Sequence, residues 1–402
     1  MSRSIFKSPS TPVLAKELEY FVCQWIMRLV GDQLDPSQFG AIHNSSTVHA
    51  LVDLMHDWSV ATDSSDTMVR ALLLDYRKAF DLIDHHILLD KLGQLGLPRF
   101  IVSWVAAFLH DRKQQVKIGT HVTDWLPVHD GVPQGTRLGP TVFLFMVNDL
   151  LASKRRIKFV DDTLTWERCH VSGNDSDIQD TAEDTAGWSV RNRMQLNVDK
   201  TKEMAISFSR KFPDTDLPPV TLGGKELERV DSAKILGVMI SNDLSWNSHV
   251  DYICPKANKR LYFLCLLMRA GASRSDMLQF YKSTVRSAVE YACPVWHTGL
   301  TTEQTDRIES VQRRALRIID PGLSYNEALT LTGLETLHAR RERMSQSFFL
   351  KTLAPDHKLH HLIPEPREVR YGLRRANRYP VPAHRTQRAR KNLIIFGLAN
   401  WQ

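Results

Sequence analysis

Apolar residues recur at helical spacing twice before residue 62. Val13–Val30 carries Leu14, Leu18, Phe21, Val22, Trp25, Ile26 and Leu29 and stops at Gly31-Asp32. Thr47 to about Ala61 repeats the pattern, with Thr47 as the expected N-cap. The period then changes. Met68–Leu74 is a nearly continuous apolar run, as expected of a central strand covered on both faces, and Asp75 ends it. A helix is expected from Tyr76 to about Leu95, broken by Gly96-Leu-Pro98, with a second at Phe100–Leu109. Gln114–Ile118 and Thr123–Val128 flank Gly119-Thr-His121 as a hairpin. Gly131–Pro140, with three glycines and two prolines, reads as a loop leading to a helical run at Thr141–Leu151.

Arg156–Trp166 reads as a tight hairpin: a buried strand Ile157–Val160, Asp161 and Asp162 at the turn, and a return strand Thr163–Trp166. Asp175–Met194 is amphipathic, and Leu196–Lys202 turns into a strand at Met204–Phe208. Phe212–Pro219 is a polar linker, and Ile235–Ile240 is the clearer of two further short strands. Beyond residue 246 the pattern is helical: His249–Met268, Ser275–Ala292 stopped by Pro294, and Thr302–Ile319. The last sets Arg307, Arg313, Arg314 and Arg317 opposite Ile308, Val311, Leu316 and Ile319, a face most simply solvated. Residues 355–391 lack periodicity and are expected to be an irregular surface segment.

With 402 residues, 43% hydrophobic, the chain can bury a sizeable core in two or more subdomains. Its longest apolar runs, Thr141–Val147 and Leu261–Met268, are too short to span a membrane. The start lacks the apolar core of a secretory signal. Five cysteines without a C-x-x-C pair point to reduced thiols in an intracellular protein rather than a disulfide frame or a zinc site. The net charge of +7 is uneven: Arg367–Lys391 holds eight Arg and one Lys against Glu368, so the rest of the chain is near −1.

Adjacent carboxylates repel, and holding Asp161 and Asp162 ionised at one tip is costly unless a cation lies between them. A third carboxylate on a neighbouring strand would complete a divalent-metal site. Asp75, at a strand end, either opens the next turn or meets the hairpin tip, while Asp81 and Asp84 fit helix-start acids. In the Gly131–Pro140 loop, glycine permits close backbone approach to a substrate, and Gln134 can hydrogen-bond a base or sugar.

Three segments then occur in order: Leu72-Leu-Leu-Asp75-Tyr-Arg-Lys-Ala-Phe80-Asp81-Leu-Ile-Asp84-His85, Gly131-Val-Pro-Gln-Gly-Thr-Arg-Leu-Gly-Pro140, and Phe159-Val-Asp-Asp162. Together they resemble the reverse transcriptases of non-LTR (LINE-type) retrotransposons, nearest to the jockey-like lineages. Gln38-Phe-Gly40, Leu236-Gly-Val238 with Trp246, Glu290–Trp296 and Val311–Leu316 look like the same family, so the likeness runs through most of the chain. Phe159-Val160 stands where Tyr-Ala is usual, which keeps the strand apolar and places a bulkier residue beside the primer end.

The resemblance implies an α/β (α+β) right-hand polymerase fold with an antiparallel palm sheet. Its expected divisions are incomplete fingers at 1–66, palm with an inserted fingers part at 67–240, helical thumb at 241–320 and a basic C-terminal extension at 321–402. It implies an RNA-directed DNA polymerase extending a DNA primer on an RNA template with dNTPs, using two Mg²⁺ ions with Mn²⁺ as a substitute. Asp75 and Asp161 would be the main metal ligands, with Asp162 assisting. Phe80 would exclude the ribonucleotide 2′-hydroxyl, Gln134 and Gly135 would contact the incoming nucleotide, and Leu236-Gly237 would be the primer grip. Lys200 would protonate the leaving pyrophosphate, with Lys202 a close rival. In the family an arginine that clamps the triphosphate precedes Thr11-Pro12, and that position holds Phe6, beside Lys7. No segment resembles an endonuclease, so a truncated open reading frame acting in the nucleus and cytoplasm is expected. A catalytically weak remnant that only binds nucleic acid is the alternative. An RNA-templated RNA polymerase shares the metal logic, but an aromatic at residue 80 argues against it.

Overall fold

The computed structural model describes residues 13–209, 217–367 and 378–402. Phe6, Lys7, most of the Phe212–Pro219 linker and part of the basic Arg367–Lys391 stretch lie outside the described residues. The centre is a five-stranded sheet in the order β5-β4-β1-β3-β2. Its strands are β1 (Thr67–Leu74), β2 (Arg155–Phe159), β3 (Asp162–His170), β4 (Lys202–Ile206) and β5 (Glu228–Arg229). Pairing is antiparallel except between β4 and β5.

The continuous apolar run of β1 has the expected cause. Val69 and Ala71 join a core shared with α2 (Thr47–Ala61) and the C-terminal helices, while Leu72 and Leu74 face a second core on the opposite side. That second core draws on α1 (Val13–Val30), α3 (His85–Gln94), α4 (Arg99–Leu109), α5 (Leu138–Met146) and α6 (Ile178–Arg191). Arg70 interrupts the run yet is buried, paired with the equally buried Glu203 of β4 at 2.7 Å. β6 (Ser232–Ile235) and β7 (Val238–Ser241) form a separate hairpin, and α7 (Asn247–Arg269) follows. A helix expected at Ser275–Ala292 is broken: α8 (Arg274–Phe280) widens into a π segment at Tyr281–Arg286, and the chain turns at Tyr291-Ala292. Pro294 does not stop it but sits in the first turn of Cys293–Trp296, where its missing N–H costs nothing. α9 (Thr302–Ile319) has the span its periodicity predicts, opened by a Thr301/Gln304 capping box.

Other expectations need correction. Ser46, not Thr47, caps α2, its side chain accepting from His49 N–H. The helix after Asp75 starts only at His85, capped by Asp84, because Tyr76 to Ile83 form a turn laid against the Gly131 loop. Ile235–Ile240 is not one strand but the tip of the β6–β7 hairpin. The helix expected at Thr141–Leu151 is shifted to Leu138–Met146. In α1 the apolar stripe Leu14, Leu18, Phe21, Trp25 and Leu29 faces solvent, while Glu19 is buried. The segment 355–391 is only partly irregular. Asp63 accepts from the Arg385 and Thr386 amides, and the chain continues into the buried α10 (Leu393–Asn400), packed on Phe349 of Leu337–Thr352.

Candidate active site

The register assembles the acids. Leu74 pairs with Thr163, so Asp75 lies level with Asp162, and Phe159 pairs with Asp162, leaving Val160 and Asp161 as a two-residue turn. The sequence reading put both acids at the turn; instead Asp162 begins β3. Val160 has φ +60°, the positive φ that a turn of this length needs at its first central position. Asp75 is oriented from the other side: Asn197 Nδ2 donates to its Oδ2 at 2.9 Å, and its own N–H donates to Thr201 Oγ1 at 3.3 Å.

Among the described residues no lysine or arginine pairs with these three carboxylates. Asp162 retains solvent contact, yet partial burial first, then negative Asp161 and Asp75, raise its carboxyl above the ordinary aspartate range. Three carboxylates at one end of the sheet, without a cation partner among the described residues, are donors of the kind a hard divalent metal takes, although their oxygens do not all lie within 4.8 Å of one another. Among the described residues the one group of His, Cys, Asp or Glu whose ligand atoms all lie within 4.8 Å of one another is His297, His338 and Glu342. There burial, then the Arg341 guanidinium, push the His297 imidazole down to about 3, and a guanidinium beside the cluster opposes a dication.

Asp75 and Asp162 share a cavity of about 360 Å³ with Phe159, Lys200, Lys202 and Leu236. The two lysine candidates differ in their partners. Lys202 Nζ bonds Glu228 Oε2 at 2.6 Å and Asp199 O at 2.7 Å, whereas Lys200 is exposed and makes no ion pair among the described residues. Leu236 and Gly237 turn at φ +45° and +89°. The Tyr291 hydroxyl donates to Leu236 O at 2.8 Å, and its ring lies flat enough on Gly237 that a Cβ there would come within 2.9 Å.

Phe80 stacks on Phe143 of α5, centroids 4.5 Å apart. Its turn is zipped to the glycine loop: Val132 N–H bonds Phe80 O and Gly131 N–H bonds Ile83 O, each at 2.8 Å. A Cβ on Gly131 would meet Asp81 O at 2.6 Å, so only glycine allows this approach. Gln134 and Gly135 are exposed on the same loop, and Gln134 Nε2 donates to Asp81 Oδ1 at 3.1 Å. Asp81 is therefore a partner of Gln134 rather than a helix-start acid. Two residues that matter here were missed. Buried Glu19 Oε2 accepts from Arg137 N–H at 2.7 Å and Leu138 N–H at 3.2 Å, capping α5 from a different helix. Gln38, named only as part of a motif, reaches the Val160–Asp161 turn. A lone Glu inside an apolar helical stripe was the one sequence signal for the first.

The family model for reverse transcriptase (RNA-dependent DNA polymerase) matches residues 9–240. A probable RNA-directed DNA polymerase from transposon X-element of Drosophila melanogaster is 27% identical over 77% of this chain and 34% of its own length. The RNA-directed DNA polymerase from mobile element jockey of Drosophila funebris is 26% identical over 61% of this chain and 28% of its own. This chain thus spans about a third of the length of such relatives. A telomerase from Candida tropicalis, solved with a fragment of telomeric RNA, covers 97% of this chain and 55% of that one at 11% identity and TM-score 0.42. The match over residues 9–240, on the sheet that gathers Asp75, Asp161 and Asp162, means that the chain belongs to the reverse transcriptase (RNA-dependent DNA polymerase) family, with relatives of the non-LTR, jockey-like kind.

Proposed function

We propose that this chain extends a DNA primer on an RNA template with dNTPs, and that Asp75, Asp161 and Asp162 hold the divalent metal, two Mg²⁺ ions with Mn²⁺ as a substitute. When bound, the metal supplies charge neutralisation and a more acidic primer hydroxyl. The observation that carries the reading is the register that brings Asp75, Asp161 and Asp162 to one end of the sheet, Asp75 and Asp162 lining an open cavity, with no cation partner among the described residues. In this reading the Phe80 ring, backed by Phe143, closes the space a 2′-hydroxyl would need. Gln134 and Gly135 present an amide and a bare backbone to the incoming nucleotide. Lys200, which lines the same cavity as Asp75 and makes no ion pair among the described residues, gives the proton to the departing pyrophosphate, while Lys202 is engaged by Glu228. Leu236 and Gly237 form the primer wall. Work inside the cell, in nucleus and cytoplasm, belongs to the same proposal.

Primer extension by the purified chain on RNA and DNA templates, with dNTPs or NTPs, tests it. Asp161→Asn or Asp75→Asn is expected to cost several orders of magnitude in rate while the fold is kept. Near-normal extension by folded Asp161→Asn removes the metal assignment. A wild-type chain that binds primer–template without extending it leaves the nucleic-acid-binding remnant.

A further inference from the structure

The chain at Ser37–Phe39 makes an isolated parallel bridge to β2. Lys158 N–H donates to Ser37 O at 2.9 Å, Phe39 N–H donates to Lys158 O at 2.8 Å, and Gln38 bridges Lys158 in parallel. The Gln38 side chain, 2% exposed, carries this contact past the strand end. Its Oε1 accepts from Gly40 N–H at 3.0 Å and from Val160 N–H at 3.2 Å. Val160 is the residue before Asp161, and it is β-branched at φ +60°, a conformation that persists only where the surroundings hold it. Gly40 comes closer still: a Cβ there would stand 2.6 Å from Val160 N and 2.8 Å from Phe159 C.

The segment is itself anchored from behind. Asp35 takes Arg156 and Lys158 at 2.7 Å each, Lys358 Nζ donates to Pro36 O at 2.6 Å, and the same ammonium stands 5.1 Å from the Phe39 ring centroid. Gln38 is thus a fixed point against which the turn is set. We propose that Gln38 is a positioning residue for the reaction: by holding the Val160 amide it fixes the turn and the direction of the Asp161 carboxylate. This inference rests on the reading of Asp161 as a metal ligand.

Gln38→Met keeps the volume and removes the acceptor. An ångström of misplacement is worth about 100-fold in rate, so kcat is expected to fall about 10- to 100-fold, with KM for dNTP little changed. Titration with Mn²⁺ alone should weaken about 10-fold, and amide exchange should quicken in the peptide covering 156–164 but not across the rest of the chain. Gln38→Asn, which shortens the reach, should give the same pattern and serves if the methionine variant does not fold. Asp161→Asn is the control: if it binds Mn²⁺ as the wild type does, the metal reading fails. If Asp161→Asn loses Mn²⁺ while Gln38→Met binds it normally with unchanged exchange, only the Gln38 assignment is overturned. Two unfolded variants, or exchange raised uniformly, would make Gln38 a packing residue and overturn it as well.

Discussion

Glu19→Ala should damage nucleotide use from a position on the far side of α5. The carboxylate satisfies two backbone N–H groups, Arg137 and Leu138, at a helix start whose own N-cap residue makes no side-chain bond. Losing the acceptor costs about 1–3 kcal/mol for the buried Leu138 N–H and less for the half-buried Arg137 N–H, and losing an acid at a helix N-terminus adds about 0.3–1 kcal/mol. Against this, Glu19 Oε1 is buried without a partner, and deleting it relieves about 1–3 kcal/mol. The net expectation is a loss of about 1–3 kcal/mol, read as a lower urea midpoint at unchanged slope. Because α5 carries Phe143 and is entered from the Gln134–Gly135 loop, the functional loss should appear as a raised KM for dNTP, with primer–template binding preserved. Glu19→Gln, which keeps one acceptor oxygen, should fall between. A Glu19→Ala chain as stable as the wild type with unchanged KM would refute the reasoning, and so would a defect confined to primer–template binding.

Phe80→Val should raise ribonucleotide relative to deoxyribonucleotide incorporation, and an unchanged ratio in an active variant would make the ring a packing residue on Phe143. Asp162 gives a pH signature without metal. Its folded pKa is raised, so its contribution to stability is complete below the unfolded aspartate value and is lost as pH rises through the folded one. In chelator, therefore, wild-type stability should fall relative to that of Asp162→Asn across that window. Parallel urea-midpoint profiles for the two chains would contradict the coupling.

Much of the fold was legible because period and chemistry agreed locally. The run Met68–Leu74 read as a central strand covered on both faces, and Thr302–Ile319 announced its stripe and its span. The acids were legible as a set because their segments resemble a family, though not in detail: a two-residue turn places Val160, not Asp162, at the corner. What failed depended on distant partners. The apolar stripe of α1 suggested a buried face, yet Glu19 turns inward because α5 offers it two amides. Asp81 looked like a helix-start acid because nothing local shows that Gly131 brings Gln134 beside it. Leu236-Gly237 read as mid-strand because a left-handed leucine is rare, and only the Tyr291 contact shows what supports it.

The docking of α10 bears on how the polypeptide is made. α2 is made long before some of its partners: His56 waits for Asn392 and Asp63 for Thr386, partners 336 and 323 residues further on. Until then the part of α2 that meets Leu393–Asn400 has no cover from that helix, and such apolar surface on a nascent chain invites chaperones or aggregation. Contacts this distant in sequence also close slowly. A message broken off before the codon for Leu393 would therefore still encode Asp75, Asp161 and Asp162 and yield a chain without α10, which packs into the core beside α2. Such products should be found in the insoluble fraction of a cell.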